Sequence, residues 1–116
     1  MESAKARKRF GEVDPYFGVL STPEYRSDKI TEAAREEFFL TGEAHVKKVL
    51  EKLRGINPAF HPARSLDFGC GVGRITIPLA RESASVLGVD VAPGMISEAQ
   101  KNARERGAGN VSFAHT

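Results

Sequence analysis

Residues 66–74 read LDFGCGVGR, so three glycines follow a short apolar run at a spacing of two. Glycine has no Cβ and accepts positive φ angles, which lets another backbone or a ligand come close. It also loses more conformational entropy on folding than any other residue. Three glycines in one loop therefore favour a local geometry that side chains would prevent.

The C-terminal half of the chain alternates between apolar runs and amphipathic segments. The stretches 65–68, 85–91 and 111–114 have the length and composition of buried strands. Between them, 74–84 and 93–107 have apolar residues at helical spacing. Strand, helix, strand, helix and strand with short connections predict right-handed crossovers and a parallel sheet, which is an α/β fold.

The N-terminal part differs in character, because six of the nine aromatic residues lie there among charged residues. A capping-box pattern at 21–24 predicts a short helix, and 31–40 is expected to form another. A longer amphipathic helix is expected after Gly42. We therefore predict a helical, aromatic, lid-like extension at residues 1–42, followed by the first half of a ligand-binding domain at 43–116.

Composition and charge exclude several classes of protein. Hydrophobic residues make up 41% and charged residues 28% of the chain, as in ordinary globular proteins. No apolar run approaches the roughly 20 residues that a membrane helix needs. The N-terminus also lacks the apolar core of a secretory signal, so we expect a cytoplasmic protein without membrane contact.

Four basic side chains lie within the first ten residues, although the net charge of the chain is only +2. We interpret this segment as a solvated, frayed terminus and expect no nucleic-acid partner. The single cysteine excludes an intrachain disulfide. The three histidines share no ligand-like spacing, so no metal site is expected. The basic residues are Lys5, Arg7, Lys8 and Arg9.

The glycine loop is predicted to lie at the carboxyl end of the first strand, where open α/β sheets bind their ligands. Without side chains there, backbone amides and the next helix can approach a small anionic group. Asp90 ends the second predicted strand, where its carboxylate can accept hydrogen bonds from a ribose diol. These features together predict an adenosine-containing ligand.

The spacing of the loop favours a ligand without a pyrophosphate. A dinucleotide fingerprint reads G-x-G-x-x-G, whereas here the third glycine, Gly73, comes one residue early. Asp67, beside the loop, would repel phosphates but would suit an ammonium group. An ammonium, a carboxylate and a ribose describe S-adenosylmethionine. A nicotinamide-dependent oxidoreductase fragment is the alternative enzyme.

The stretches LDFGCGVGRITIPLA and VLGVDVAPGMISEAQKNA resemble the first two motifs of class I S-adenosylmethionine-dependent methyltransferases, over residues 65 to about 113. The resemblance implies a Rossmann-like, three-layer α/β/α fold with a parallel sheet, of which this chain has only about three of the usual seven strands. It also implies methyl transfer from S-adenosylmethionine. The methyl acceptor and the catalytic residues are not identified by the sequence.

The resemblance assigns cofactor contacts residue by residue. The loop backbone around Gly69 to Gly71 would contact the methionine portion, Asp90 would hold the ribose, and Val91 and Met95 would flank the adenine. Residues of the N-terminal extension, which resembles that of a bacterial subgroup, would form a lid. The implied cofactor-binding residues are Asp67, Gly69, Cys70, Gly71, Gly73, Asp90, Val91 and Met95, with Tyr16, Phe39 and Gly42 in the lid.

Three other side-chain roles have simpler interpretations. We expect Cys70 to pack inward instead of acting as a nucleophile, because no histidine lies nearby in the sequence to activate it. Arg74 is expected on a helix surface rather than at the cofactor carboxylate. Met95 is equally consistent with ordinary core packing.

The sequence ends just after the third predicted strand, before the strand that would lie on the other side of the first. The first strand would then be an edge, which predicts self-association. Cofactor affinity is expected to be reduced, and the 116-residue chain alone is expected to be inactive. A non-catalytic module that associates through this edge is the alternative outside the enzymes.

Overall fold

The computed structural model describes residues 4–20, 23–27 and 30–116. Within these ranges, none of the helices combines the length and the apolar character needed to cross a bilayer. The elements, in chain order, are α1 (Ala4–Val13), α2 (Pro15–Val19), a 3-10 turn (Pro23–Tyr25), α3 (Glu32–Ile56), β1 (Arg64–Phe68), α4 (Thr76–Glu82), β2 (Ser85–Asp90), α5 (Pro93–Glu105) and β3 (Val111–His115).

The three strands form one parallel sheet in the order β1-β2-β3. The predicted α/β class and parallel sheet are therefore confirmed. The helix expected at 21–24 falls partly on residues outside those described, and only the 3-10 turn from Pro23 can be compared with it.

The helices of the described ranges cover one face of the sheet. Right-handed crossovers place α4 and α5 on the same side, and α3 packs beside α4. On the opposite face Leu66, Phe68 and Leu87 are 61%, 82% and 40% exposed. Of the three layers that the family resemblance implies, the described residues thus form two.

Helix α3 is one continuous helix, which corrects the expectation of two pieces separated near Gly42. Thr31 caps it by accepting a hydrogen bond from the Ala34 amide at 3.0 Å. Gly42 lies inside the helix, where an added Cβ would come 2.0 Å from the Arg74 carbonyl oxygen. This glycine permits close packing and does not end a helix. The domain division at 42/43, which α3 crosses, stays a prediction.

The basic terminus is helical from Ala4, although the sequence predicted a frayed segment. Helix α1 packs against the first turn of α5. The contact depends on two small residues, since a Cβ at Gly94 would lie 2.4 Å from the Gly11 carbonyl oxygen. Backbone contact with α5 therefore orders a segment whose charge pattern suggested a solvated end.

The main core lies between the N-terminal helices and the loop after β1. Its aromatic rings pack edge to face, with centroids 5.1 to 6.2 Å apart, a geometry that aromatic pairs prefer. The extension and the C-terminal part share this core. Its buried members include Tyr16, Tyr25, Phe38, Phe39, Val72, Ile77 and Met95.

Candidate functional site

The glycine loop lies directly after β1 and requires glycine at three positions. Gly69, Gly71 and Gly73 have φ angles of +78°, +56° and +95°, a region that side chains disfavour. The amides of Gly69 and Cys70 both donate to the Val89 carbonyl, at 2.8 and 2.9 Å. These bonds tie the loop to the end of β2.

Asp90 joins the two loops at the carboxyl ends of β1 and β2. Its side chain is only 2% exposed. One carboxylate oxygen accepts a hydrogen bond from the Gly71 amide and the other from the Ala92 amide, each at 2.9 Å. These two bonds orient the carboxylate between the loops that follow β1 and β2.

Asp67 lies at the other strand end and accepts a hydrogen bond from the Thr76 hydroxyl at 2.7 Å. Burial raises its pKa, and the nearby Asp90 charge raises it further. The Thr76 bond and the Arg74 charge act in the opposite direction. Asp67 thus lies at the carboxyl end of β1, next to the strand that ends in Asp90.

The raised pKa of Asp67 determines how the free energy of unfolding depends on pH. Between the unfolded and folded pKa values, the folded state binds more protons than the unfolded state. The free energy of unfolding then falls as pH rises through that window. An ionised Asp67 at neutral pH therefore reduces stability, as is common for groups placed for binding.

Arg74 corrects the expectation of a helix-surface residue, because α4 begins only at Thr76. Its guanidinium donates to the Thr41 hydroxyl at 3.2 Å, and its carbonyl faces Gly42. Partial burial lowers its pKa, although the Asp67 charge opposes that shift. Arg74 is held between the glycine loop and α3.

Cys70 and Val91 occupy the two loops beside Asp90. The Cys70 thiol is buried, and it donates a weak hydrogen bond to the Gly71 carbonyl at 3.6 Å. Val91 is half-buried, and its carbonyl oxygen lies 3.0 Å from Nε2 of His115. Cys70 is thus placed as an inward-packed loop residue.

The predicted lid residues and Met95 lie in the core. Tyr16, Phe39 and Met95 are 5%, 2% and 0% exposed, and Gly42 is pressed against Arg74. The structure places Asp90 against the loop at Gly71, and Asp67 near the end of the strand that precedes the loop. Contact of Tyr16, Phe39, Gly42 and Met95 with a cofactor stays a prediction.

Sequence reasoning missed Asn102, which is fully buried on α5. Its side-chain amide donates to the Val72 carbonyl at 2.9 Å, directly behind the glycine loop. The signal was present in the sequence, since Asn102 falls at helical spacing from Met95 and Ala99 on an otherwise apolar face. A buried polar residue on such a face indicates a specific partner.

The described residues contain no group of three or more His, Cys, Asp or Glu side chains placed to hold a metal ion. The polar groups at the carboxyl ends of β1 and β2 are instead carboxylates and backbone amides. They suit an organic ligand with hydroxyl, ammonium and carboxylate groups.

The sequence model of a family described as a methyltransferase domain matches residues 66–116. A 23S rRNA (uracil(1939)-C(5))-methyltransferase of Shewanella sediminis is 49% identical over 53 residues, which are 46% of this chain and 12% of that protein. The chain thus spans only about an eighth of this relative.

Two solved structures share the fold. Phosphoethanolamine N-methyltransferase 1 of Haemonchus contortus, in complex with phosphoethanolamine and S-adenosylhomocysteine, covers 99% of this chain. The match spans 22% of that enzyme, at 17% identity and a TM-score of 0.62. An amino pentose methyltransferase of Micromonospora echinaspora, with S-adenosylmethionine bound, covers 65% of this chain. This match spans 29% of that chain, at 29% identity and a TM-score of 0.51.

Proposed function

We propose that this protein binds S-adenosylmethionine and takes part in methyl transfer to an acceptor, because the family model described as a methyltransferase domain matches residues 66–116. One observation carries the proposal: the Asp90 carboxylate is hydrogen-bonded to the amide of Gly71 in the glycine loop. This bond holds the carboxylate directly against the loop, so that both would contact the same ligand.

The site residues fit the three polar parts of this cofactor. Asp90 would accept hydrogen bonds from the ribose hydroxyls. The open backbone at Gly69, where an added Cβ would meet no atom within 4 Å, would lie against the methionine carboxylate. Asp67 would face the ammonium group, whose positive charge would favour the ionised carboxylate.

The work of these side chains is binding and orientation. When bound, S-adenosylmethionine supplies a sulfonium methyl group that is already electrophilic, so the chemistry resides in the cofactor. The two aspartates and the open backbone at Gly69 would fix the nucleoside and the amino-acid portion. They would thereby hold the methyl group at one position, which is the protein's main contribution to such a transfer.

The proposal is tested by calorimetric titration of the whole chain with S-adenosylhomocysteine and, separately, with NADH. We expect one site for S-adenosylhomocysteine and no heat of binding for NADH. The reverse order would replace this proposal by the oxidoreductase alternative. Binding of neither ligand by a folded, oligomeric chain would support the non-catalytic interaction module.

We further propose that two copies associate through β1. The strand pairs only with β2 among the described residues, and unpaired strand edges promote pairing with another chain. Leu66 and Phe68 of this edge strand expose apolar surface on the sheet face that the helices leave uncovered. A groove lined by Val49 and Leu53 of α3 and by Leu66 of β1, among others, lies beside this edge.

Sedimentation velocity over a range of concentrations tests this association. We expect a reversible dimer, and we expect Leu66→Lys to weaken it at least about tenfold, because a charge at a strand edge opposes pairing. Leu40→Lys is the matched control, since Leu40 is 51% exposed on α3 but does not line the groove. A monomer at every concentration, or equal effects of the two variants, would contradict the proposal.

A further inference from the structure

A buried polar network connects the N-terminal helices with the back of the glycine loop. Asn102 of α5 lies at its centre and is fully buried. Its side-chain amide donates to the Val72 carbonyl at 2.9 Å and to the Tyr16 hydroxyl at 3.1 Å. Its carbonyl oxygen accepts from the Arg35 guanidinium. One amide therefore contacts α2, α3 and the loop after β1.

The orientation of the Asn102 amide is fixed by its partners. Arg35 can only donate hydrogen bonds, so it must face the side-chain oxygen. The Val72 carbonyl can only accept, so it must face the side-chain NH2 group. Rotation of the amide by 180° would break both bonds. The partners thus determine which atom of Asn102 faces the loop.

Tyr16 completes the network. Its hydroxyl donates to the Glu98 carboxylate at 2.6 Å and accepts from Arg35 Nε at 3.1 Å. Burial raises the pKa of Tyr16 to about 12, and the Glu98 carboxylate contributes to that shift. The phenol therefore stays protonated and keeps its bond to Glu98 across the neutral range. Arg35 also pairs with Glu105 at 3.0 Å.

The position of Val72 makes this network relevant to the loop. Val72 lies between Gly71 and Gly73, both with positive φ, and its side chain is fully buried. Glycines leave the backbone with many accessible conformations, so the loop needs an external contact to select one. The bond from Asn102 fixes the direction of the peptide group between Val72 and Gly73, and hence of the Gly73 amide.

We propose that Asn102 is a positioning residue that sets the Gly71–Gly73 segment, and that Tyr16 and Arg35 orient Asn102. The packing of the N-terminal helices against α5 then determines the conformation of the glycine loop. Tyr16 acts on the crevice through Asn102 and not by touching the ligand. The consequence for cofactor affinity rests on the proposed function, whereas the consequence for the loop does not.

Amide hydrogen exchange of the ligand-free chain, followed by NMR, tests the proposal. Asn102→Asp places an oxygen against the Val72 carbonyl while retaining the partner of Arg35. We expect the Gly71 and Gly73 amides to exchange about tenfold faster relative to β2, the effect of losing one buried hydrogen bond. Tyr16→Phe keeps the ring packing, and we expect a smaller change in the same direction.

Asn110→Asp is the matched control. Asn110 also donates its side-chain amide to backbone carbonyls, those of Ala80 and Ser83, at 2.8 and 3.0 Å. This variant tests for a general loss of stability without touching the loop. Unchanged relative exchange at Gly71 and Gly73 in Asn102→Asp, or in Tyr16→Phe if Asn102→Asp does not fold, would overturn the proposal.

A second measurement separates this inference from the proposed function. If the wild-type chain binds S-adenosylhomocysteine, Asn102→Asp is expected to weaken that binding about tenfold, whereas Asn110→Asp leaves the affinity of the folded chain unchanged. Equal affinities of Asn102→Asp and wild type would refute the positioning role. If the wild-type chain does not bind this ligand, the proposed function fails while the exchange result still decides the role of Asn102.

Discussion

Gly42→Ala is expected to destabilise the chain by roughly 3 kcal/mol, although the same change usually stabilises a helix interior by up to about 1 kcal/mol. An alanine Cβ at this position would lie 2.0 Å from the Arg74 carbonyl oxygen and 2.8 Å from its carbonyl carbon. Both are backbone atoms, so relief requires α3 to move away from the glycine loop. Urea unfolding followed by circular dichroism measures the change.

Gly55→Ala provides the control within the same helix. No atom lies within 4 Å of a Cβ built at Gly55, so only the helix propensity changes, and we expect stabilisation by up to about 1 kcal/mol. The two substitutions therefore have opposite signs in one helix. If Gly42→Ala proved neutral or stabilising, α3 would not lie as close to the Arg74 backbone as the structure places it.

Asp90→Asn is expected to have the second-largest effect, on both stability and binding. Each oxygen of Asp90 accepts one backbone amide, but asparagine has only one side-chain oxygen. Its NH2 group would face the amide of Gly71 or of Ala92, leaving a buried donor without a partner at a cost of about 1–3 kcal/mol. If Asp90 holds the ribose, affinity for S-adenosylhomocysteine falls about tenfold or more.

Asp67→Asn is the matched control, and its effect on stability has the opposite sign. The pKa of Asp67 is raised chiefly by burial, so removing the charge is expected to raise the thermal midpoint at neutral pH. An asparagine oxygen can still accept from Thr76. The gain shrinks as the pH falls toward the ordinary aspartate value of 3.8, because wild-type Asp67 then becomes protonated in the folded state.

The affinity of the two variants for S-adenosylhomocysteine shows whether the aspartates bind the ligand or only stabilise the fold. Both substitutions are expected to weaken S-adenosylhomocysteine binding, although only Asp90→Asn also lowers the thermal midpoint. Calorimetric titration and thermal unfolding of the same samples measure both quantities. Wild-type affinity in Asp90→Asn would contradict the assignment of Asp90 to the ribose.

The three strands, the two helices between them and the glycine loop could be predicted from the sequence, because each depends on local chemistry. Alternating apolar and amphipathic segments specify the α/β order. The three glycines specify positive φ angles, which the structure shows at Gly69, Gly71 and Gly73. Asp67 and Asp90 follow from the same order, since parallel strands bring their carboxyl ends to one edge.

The N-terminal helices could not be predicted in the same way, because their form depends on what they pack against. Gly42 was interpreted as a helix boundary, yet it permits α3 to approach Arg74. The basic segment from Ala4 was expected to fray, yet Gly11 and Gly94 let α1 pack on α5. A glycine permits both a break and a close contact, and only the neighbouring backbone decides between them.

The sequence by itself thus determined the sheet, the loop and the two carboxylates, since these follow from residue types and their order along the chain. Tertiary structure alone decided that Tyr16 and Arg35 meet Asn102, because these residues are 67 to 86 positions apart. Hydrogen bonds over such separations depend on how α2 and α3 dock against α5. The physical reason is that docking requires burial and backbone approach, which no local pattern specifies.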